Sequence, residues 1–143
     1  MKYRITDKRI KEITPNKGDA GIDIRACIDR TLIIDVGEQA LIDSGLQVAI
    51  PEFWVGKVYP RSGLGTKKGA VLANTVGIID SIYRGNVLVM LKNKGKEPLI
   101  IEPMDRIVQM VVVPHYDYSL LEEVRELSST ERGSGGFGST GEK

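Results

Sequence analysis

The chain has 143 residues, enough for one ordinary domain with its own apolar core. Lys plus Arg number 20 against 19 Asp plus Glu, so no global field draws in nucleic acid or an acidic membrane. Cys27 stands alone, which excludes an intrachain disulfide and a multi-cysteine metal site; with no signal-like leader and no apolar run near the roughly 20 residues of a membrane span, a reduced, cytoplasmic protein is expected.

The first informative segment is AGIDIRA at 20–26, where Asp23 and Arg25 share one face of a short extended stretch. Taken singly it reads as a strand end with a solvated Asp. Short β-branched runs at 31–36, 40–50 and 53–59 follow, separated by turn residues, and read as strands. Pro60 ends the last of them. The segment RSGLGTKKG at 61–69 then supplies Arg61, the Ser62 hydroxyl and a Gly63-x-Gly65 turn whose N–H groups can converge on a phosphate. It does not meet GxxxxGK[ST], and a basic surface loop is an equally good account of it.

NTVGIIDSIYRG at 74–85 leads into the apolar run 87–91 and reads as a β-hairpin with a turn-rich middle. Asp80 ends its first arm, where a carboxylate facing a cleft can take a proton from water; a turn Asp bonding its own backbone is the plainer alternative. Tyr83 is a core aromatic or a platform for a ring. Further strands are expected at 87–91, 99–102 and 107–113. The runs VLVML and IVQMVVV hardly alternate, so both their faces need cover, from the middle of a sandwich or from a neighbouring subunit. Gln109, the one polar residue in the second run, needs partners in the core or a ligand.

Residues 119–127 carry Leu120, Leu121, Val124 and Leu127 at three- and four-residue steps, the sole helical candidate. From Ser128 onward glycine and hydroxyl residues dominate, which predicts a body at 1–127 and a mobile arm at 128–143. The arm contains a literal GxGxxG, but no strand precedes it and no helix can follow, so a dinucleotide fold is excluded. Arg132, hydroxyls and free N–H groups suit phosphate, and Phe137 suits a base, although composition alone favours a linker. Short strands with frequent turns make the fold class all-β, a sandwich, barrel or jelly roll.

Together, in order and spacing, AGIDIRA, PRSGLGTKKG, NTVGIIDSIYRG, MDRIVQM and RGSGGFGSTG resemble the five motifs of the trimeric dUTPase family. The resemblance implies a jelly-roll homotrimer with active sites between subunits, hydrolysing dUTP to dUMP and pyrophosphate with Mg²⁺. It implies Asp80 as the base that activates the attacking water, and Asp23 as an indirect, water-mediated partner of the metal. Arg61, Ser62 and Gly63 would hold phosphates, and Gln109 would lie near the α-phosphate. Asn74, Gly77, Ile78 and Ile79 would read uracil, with Tyr83 against the deoxyribose. From the arm, Arg132 would reach the γ-phosphate, Phe137 would cover uracil, and Gly138, Ser139 and Thr140 would add phosphate donors. Two positions depart from the family pattern: Ile82 where an acidic residue is usual, and Met104 where Gly is usual.

Two rival functions share the scaffold. A dCTP deaminase is disfavoured by Tyr83, by the glycine-rich arm, and by the lack of a Glu beside the hairpin to shuttle protons. A non-catalytic regulatory protein is disfavoured by Asp80 and by the lack of an inserted segment.

Overall fold

The structure, a computed structural model, describes residues 1–13 and 15–136. Ten strands dominate it: β1 (Lys2–Ile5), β2 (Ile22–Arg25), β3 (Leu32–Ile34), β4 (Gln39–Ala49), β5 (Trp54–Pro60), β6 (Ala70–Leu72), β7 (Gly77–Ile79), β8 (Asn86–Asn93), β9 (Leu99–Ile101) and β10 (Arg106–Pro114). One short helix, α1 (Ser62–Lys68), and a 3₁₀ turn at Tyr118–Leu120 are the remaining elements. The strands pair antiparallel into two four-stranded sheets, β1-β4-β8-β6 and β2-β10-β5-β7, and a β3-β9 ribbon. This is the all-β jelly-roll architecture that the strand spacing and family resemblance anticipate.

The inner faces of the two sheets form one core. Ile42, Leu46 and Val48 of β4 and Val87, Val89 and Leu91 of β8 meet Ile24, Val58, Val108 and Met110 from the second sheet. Each of these is at most 3% exposed, so each contributes on the order of 1.5–3 kcal/mol of transfer free energy against an extended chain. Among the described residues every buried side-chain polar atom has a partner. Asn93, fully buried, donates to the carbonyls of Ile34 and Glu97 and accepts from the Gly95 N–H, tying the ribbon to the end of β8.

Alternation is restored in β8, whose sequence lacks it, but not in β10, where Ile107 and Val108 are both buried. In β8, Val87, Val89 and Leu91 are buried, whereas Leu88 is 48% exposed; on the neighbouring β4, Leu41 is 58% exposed. The second apolar face of these strands is therefore not covered by their own chain.

Three sequence expectations need correction. Residues 119–127 form no helix: after the 3₁₀ turn ending at Leu120 there is neither helix nor strand in the described chain, and Leu120, Leu121, Val124 and Leu127 are all exposed. A nine-residue periodicity lies below the length at which helix propagation offsets nucleation, and no surface of this chain receives its apolar side. Residues 62–68 are helical rather than an open loop. The run between β7 and β8 is not a hairpin, because β7 pairs with β5 in one sheet and β8 with β4 and β6 in the other. Strand β1, in the charged N-terminal stretch, has no apolar alternation to announce it and is held by its register on β4.

Met104, just before β10, has φ 68°, the left-handed region. Its N–H donates to the Ala26 carbonyl and its own carbonyl accepts from Arg25 Nη1, so the turn holds it there. Glycine, usual at this position in the resembling family, removes the Cβ–carbonyl contact that makes this conformation cost about 1–2 kcal/mol. Set against the extra chain entropy of glycine, Met104→Gly is expected to stabilise by about 0.5–1 kcal/mol, raising the thermal midpoint by about 2–4 °C. A lowered midpoint in scanning calorimetry would mean that Met104 packing outweighs the strain.

Candidate active site

The site is built around β10, which pairs with β2 on one edge and β5 on the other. Gln109 is opposite Asp23 of β2 and opposite Tyr59 of β5, and residues opposite one another in antiparallel strands present side chains to the same face. All three are partly exposed, on the outer side of the sheet. One residue beyond β5, Arg61 turns over this row, and its Nε lies 2.9 Å from Asp23 Oδ1. Arg106 Nη1 donates to Asp23 Oδ2 at 3.1 Å. Asp23, Arg61, Ser62, Arg106 and Gln109 line one cleft of ≈ 530 Å³, together with Ile10, Glu12, Ile13, Pro15, Asn16 and Asp19.

Helix α1 starts at this cleft. Arg61 is its N-cap residue, with extended φ −66° and ψ 139° and no side-chain cap. Gly65 N–H is the first to donate back, to the Arg61 carbonyl at 2.8 Å, so the N–H groups of Ser62, Gly63 and Leu64 have no acceptor within the helix. Such donors, with a guanidinium beside them, suit phosphate oxygens. Lys67 and Lys68 occupy the last turn, where the helix dipole favours them, and Gly69 closes it at φ 69°. A Cβ on Gly69 would lie 2.5 Å from Gly95, so glycine is required on packing as well as conformational grounds.

The third motif forms a second, separate cleft of ≈ 110 Å³. It lies between β7 and the β6-β8 edge of the other sheet and is lined by Asn74, Gly77, Ile78 and Ile79 with Val58, Leu72 and Val89 among others. Its rim is strained: Val76 N–H donates to the Asn74 carbonyl at 2.7 Å, and Thr75 between them has φ 67°, rare for a β-branched residue. Directly after β7 comes Asp80, exposed, whose carbonyl accepts from Tyr83 N–H at 3.1 Å to close a turn. Tyr83 Oη donates to the Asn86 carbonyl at 2.8 Å. Its ring folds over Gly85, where a Cβ would lie 2.5 Å from the hydroxyl oxygen. Asn86 is in turn held by both oxygens of Asp43, so the Tyr83 turn is anchored to β4.

The sequence-predicted residues thus fall into two groups that one chain does not join. Asp23, Arg61, Ser62 and Gln109 line the first cleft, and Asn74, Gly77, Ile78 and Ile79 the second. Gly63 lies on the exposed first turn of α1. Asp80 and Tyr83 line neither cleft. Arg132 donates from Nε to the Gly135 carbonyl at 2.9 Å, within its own turn, and lines neither cleft. Phe137, Gly138, Ser139 and Thr140 lie outside the described residues. Sequence reasoning missed Arg106, for which spacing gives no signal.

The donor set fits a metal that arrives with its own ligands. No cluster of three or more His, Cys, Asp or Glu able to hold an ion occurs among the described residues. Asp23 is a single carboxylate between two arginines, and Mg²⁺ characteristically keeps several waters while using one or two carboxylates and substrate phosphates. Cys27 lines neither cleft; burial, and secondarily the charge of Asp7, push its thiol up to about 11.

Comparison with known proteins gives the family of the chain. The dUTPase family profile matches residues 9–141. The deoxyuridine 5'-triphosphate nucleotidohydrolase of Bordetella pertussis is 42% identical over 142 residues, spanning 96% of this chain and 95% of its own. That of Neisseria meningitidis serogroup A is 41% identical over 145 residues, spanning 99% and 96%. Among solved structures, the Staphylococcus bacteriophage 80alpha dUTPase with dUpNHpp superposes with a TM-score of 0.83 at 30% identity, covering 98% of this chain and 97% of that one. The dUTPase of S. aureus phage phi11, in a D-to-N variant that coordinates a structural Mg(II) ion, gives 0.75 at 28% identity, covering 87% and 96%. With matches over nearly its whole length from both sequence and structure, the chain belongs to the dUTPase family.

Proposed function

We propose that the protein is a dUTP diphosphatase, hydrolysing dUTP to dUMP and pyrophosphate by attack of water on the α-phosphorus. In a cell this activity keeps uracil out of DNA and supplies dUMP for thymidylate synthesis; a cytoplasmic location goes with it. The observation that carries the reading is the outer-face row of Asp23 and Gln109 with Arg61 above it, beside uncapped helix N–H groups, in a chain matching the dUTPase family over residues 9–141.

Phosphoryl chemistry asks the protein mainly for position and charge neutralisation. Arg61, Ser62 and Gly63 bind phosphate oxygens, and Gln109 orients the α-phosphate and its water. Asp80 takes the proton of that water as attack proceeds. Asp23 would hold a hydrated Mg²⁺ indirectly, through water. When bound, that ion neutralises phosphate charge and polarises the reacting phosphoryl group. Asn74 and the Gly77, Ile78 and Ile79 backbone hold the uracil edge, where a mismatched donor–acceptor pattern leaves buried groups unpaired and rejects cytosine. Tyr83 packs on the deoxyribose and leaves no room for a 2′-hydroxyl.

A homotrimer completes the site. Two observations support it: the two half-sites of one chain stay apart, and Leu41 and Leu88 leave an apolar sheet face uncovered. The body is residues 1–127 and the arm residues 128–143. The arm closes over the nucleotide, with Arg132 on the γ-phosphate, Phe137 on uracil, and Gly138, Ser139 and Thr140 as donors, excluding bulk water.

Asp80→Asn is expected to lower kcat by ~10²–10⁴-fold while leaving the affinity for a non-hydrolysable dUTP analogue within about threefold of the parent. Single-turnover kinetics with calorimetric titration separate the two; normal turnover by this variant would remove Asp80 from the mechanism. Deleting residues 132–143 should leave the thermal midpoint and the number of chains per oligomer unchanged and reduce dUTP hydrolysis by ~10²-fold or more. Full activity of the shortened chain would dismiss the closing role of the arm.

A further inference from the structure

We propose that Arg106 is a positioning residue: with Arg61 it clamps the Asp23 carboxylate from both sides, and this clamp sets the spacing of the cations that receive the triphosphate. The inference deepens the reading of the Asp23 cleft given above and rests on it.

The placement of Arg106 has a specific structural cause. Strand alternation puts residues an odd number of positions apart on opposite faces, so Arg106 and Gln109 should diverge. The pairing of β10 with β2 instead shifts between Arg106 and Val108: Arg106 opposes Arg25, and Val108 already opposes Ile24. Two residues of β10 thus span one step of β2, a β-bulge. Ile107 and Val108, adjacent in sequence, are both fully buried in the core, as residues at a bulge can be. The extra residue returns Arg106 to the outer face, onto the same carboxylate as Arg61.

The clamp divides the carboxylate between its partners. Arg61 Nε takes Oδ1 at 2.9 Å and Arg106 Nη1 takes Oδ2 at 3.1 Å. The side chains of Arg61, Asp23 and Arg106 are 35%, 34% and 49% exposed, and pairs this wet add little stability. Their effect is geometric. Two guanidiniums around one carboxylate make a locally positive trio, in a cleft whose other charged lining residues are Glu12, Asp19 and Arg25, and neither arginine is free to collapse onto the other's position. Each guanidinium keeps N–H donors beyond the ones used on Asp23. Without Arg106, Oδ2 has no partner, the carboxylate rotates, and Arg61 follows it away from the phosphate row.

A double-mutant cycle on the full chain tests this. Wild type, Arg106→Gln, Asp23→Asn and the double variant are titrated calorimetrically with inorganic tripolyphosphate, and kcat/KM for dUTP is measured in parallel. Because Arg106 acts through Asp23, Arg106→Gln should weaken tripolyphosphate binding ~10-fold when Asp23 is present and less than ~2-fold in the Asp23→Asn background. Arg106→Lys, which keeps a charged donor for Oδ2, should recover binding to within ~3-fold of wild type. An equal loss in both backgrounds, or no loss in either, overturns the inference. If wild type fails to hydrolyse dUTP while the tripolyphosphate cycle shows the expected coupling, the substrate reading falls and the clamp stands.

Discussion

Strand β10 is hydrogen-bonded along both edges, and this double pairing is the constraint on which the Asp23 cleft depends. Its register on β2 brings Asp23 beside Gln109, and its register on β5 brings Pro60 opposite Val108, so that the chain leaves the sheet at Arg61 directly over the same row. The inner face of the strand, through Ile107, Val108 and Met110, is fixed in the core. A side chain on the outer face is then positioned by burial on the other side of the same backbone. Close packing tolerates little displacement, which makes the strand a rigid platform for chemistry on a face that is itself partly wet.

The second half-site follows from a different constraint. Strand β7 belongs to the β10 sheet while β6 and β8 belong to the other, so the cleft holding Asn74 and Gly77–Ile79 opens at the seam between the two sheets. The strained Thr75 rim and the anchored Tyr83 turn hold that seam in shape. Strain of this kind persists where surrounding contacts over-determine the backbone, and such sites cluster where ligands bind. One chain therefore carries two preformed half-sites and an uncovered apolar face. In the proposed homotrimer, association of copies would bring half-sites together and cover that face in a single step.

Much of this was legible in the sequence because it rests on local chemistry. The β-branched runs gave most of the strands, and the ordered islands of Gly, Asp, Arg and hydroxyl residues marked both clefts. The remainder was hidden for physical reasons. The helix at Ser62–Lys68 contains two glycines and reads as a turn, since its formation depends on Gly69 fitting against Gly95, a contact distant in sequence. The periodicity of Leu120, Leu121, Val124 and Leu127 imitates a helix but has no surface in its own chain to pack on. Arg106 was invisible because a bulge is a property of pairing: nothing in RIVQ tells which neighbour strand will count two residues as one. Met104 appeared only as a departure from a family pattern, and the left-handed backbone explains why glycine is usual there.

The central claim is selective hydrolysis of dUTP, and a nucleotide panel tests it most directly. The full-length protein is incubated with dUTP, dCTP, dTTP and UTP in the presence of Mg²⁺, and pyrophosphate, monophosphate and deaminated products are quantified. The account predicts conversion of dUTP to dUMP and pyrophosphate, with the other three nucleotides left essentially intact. Deamination of dCTP, or no turnover of any of the four, would contradict it.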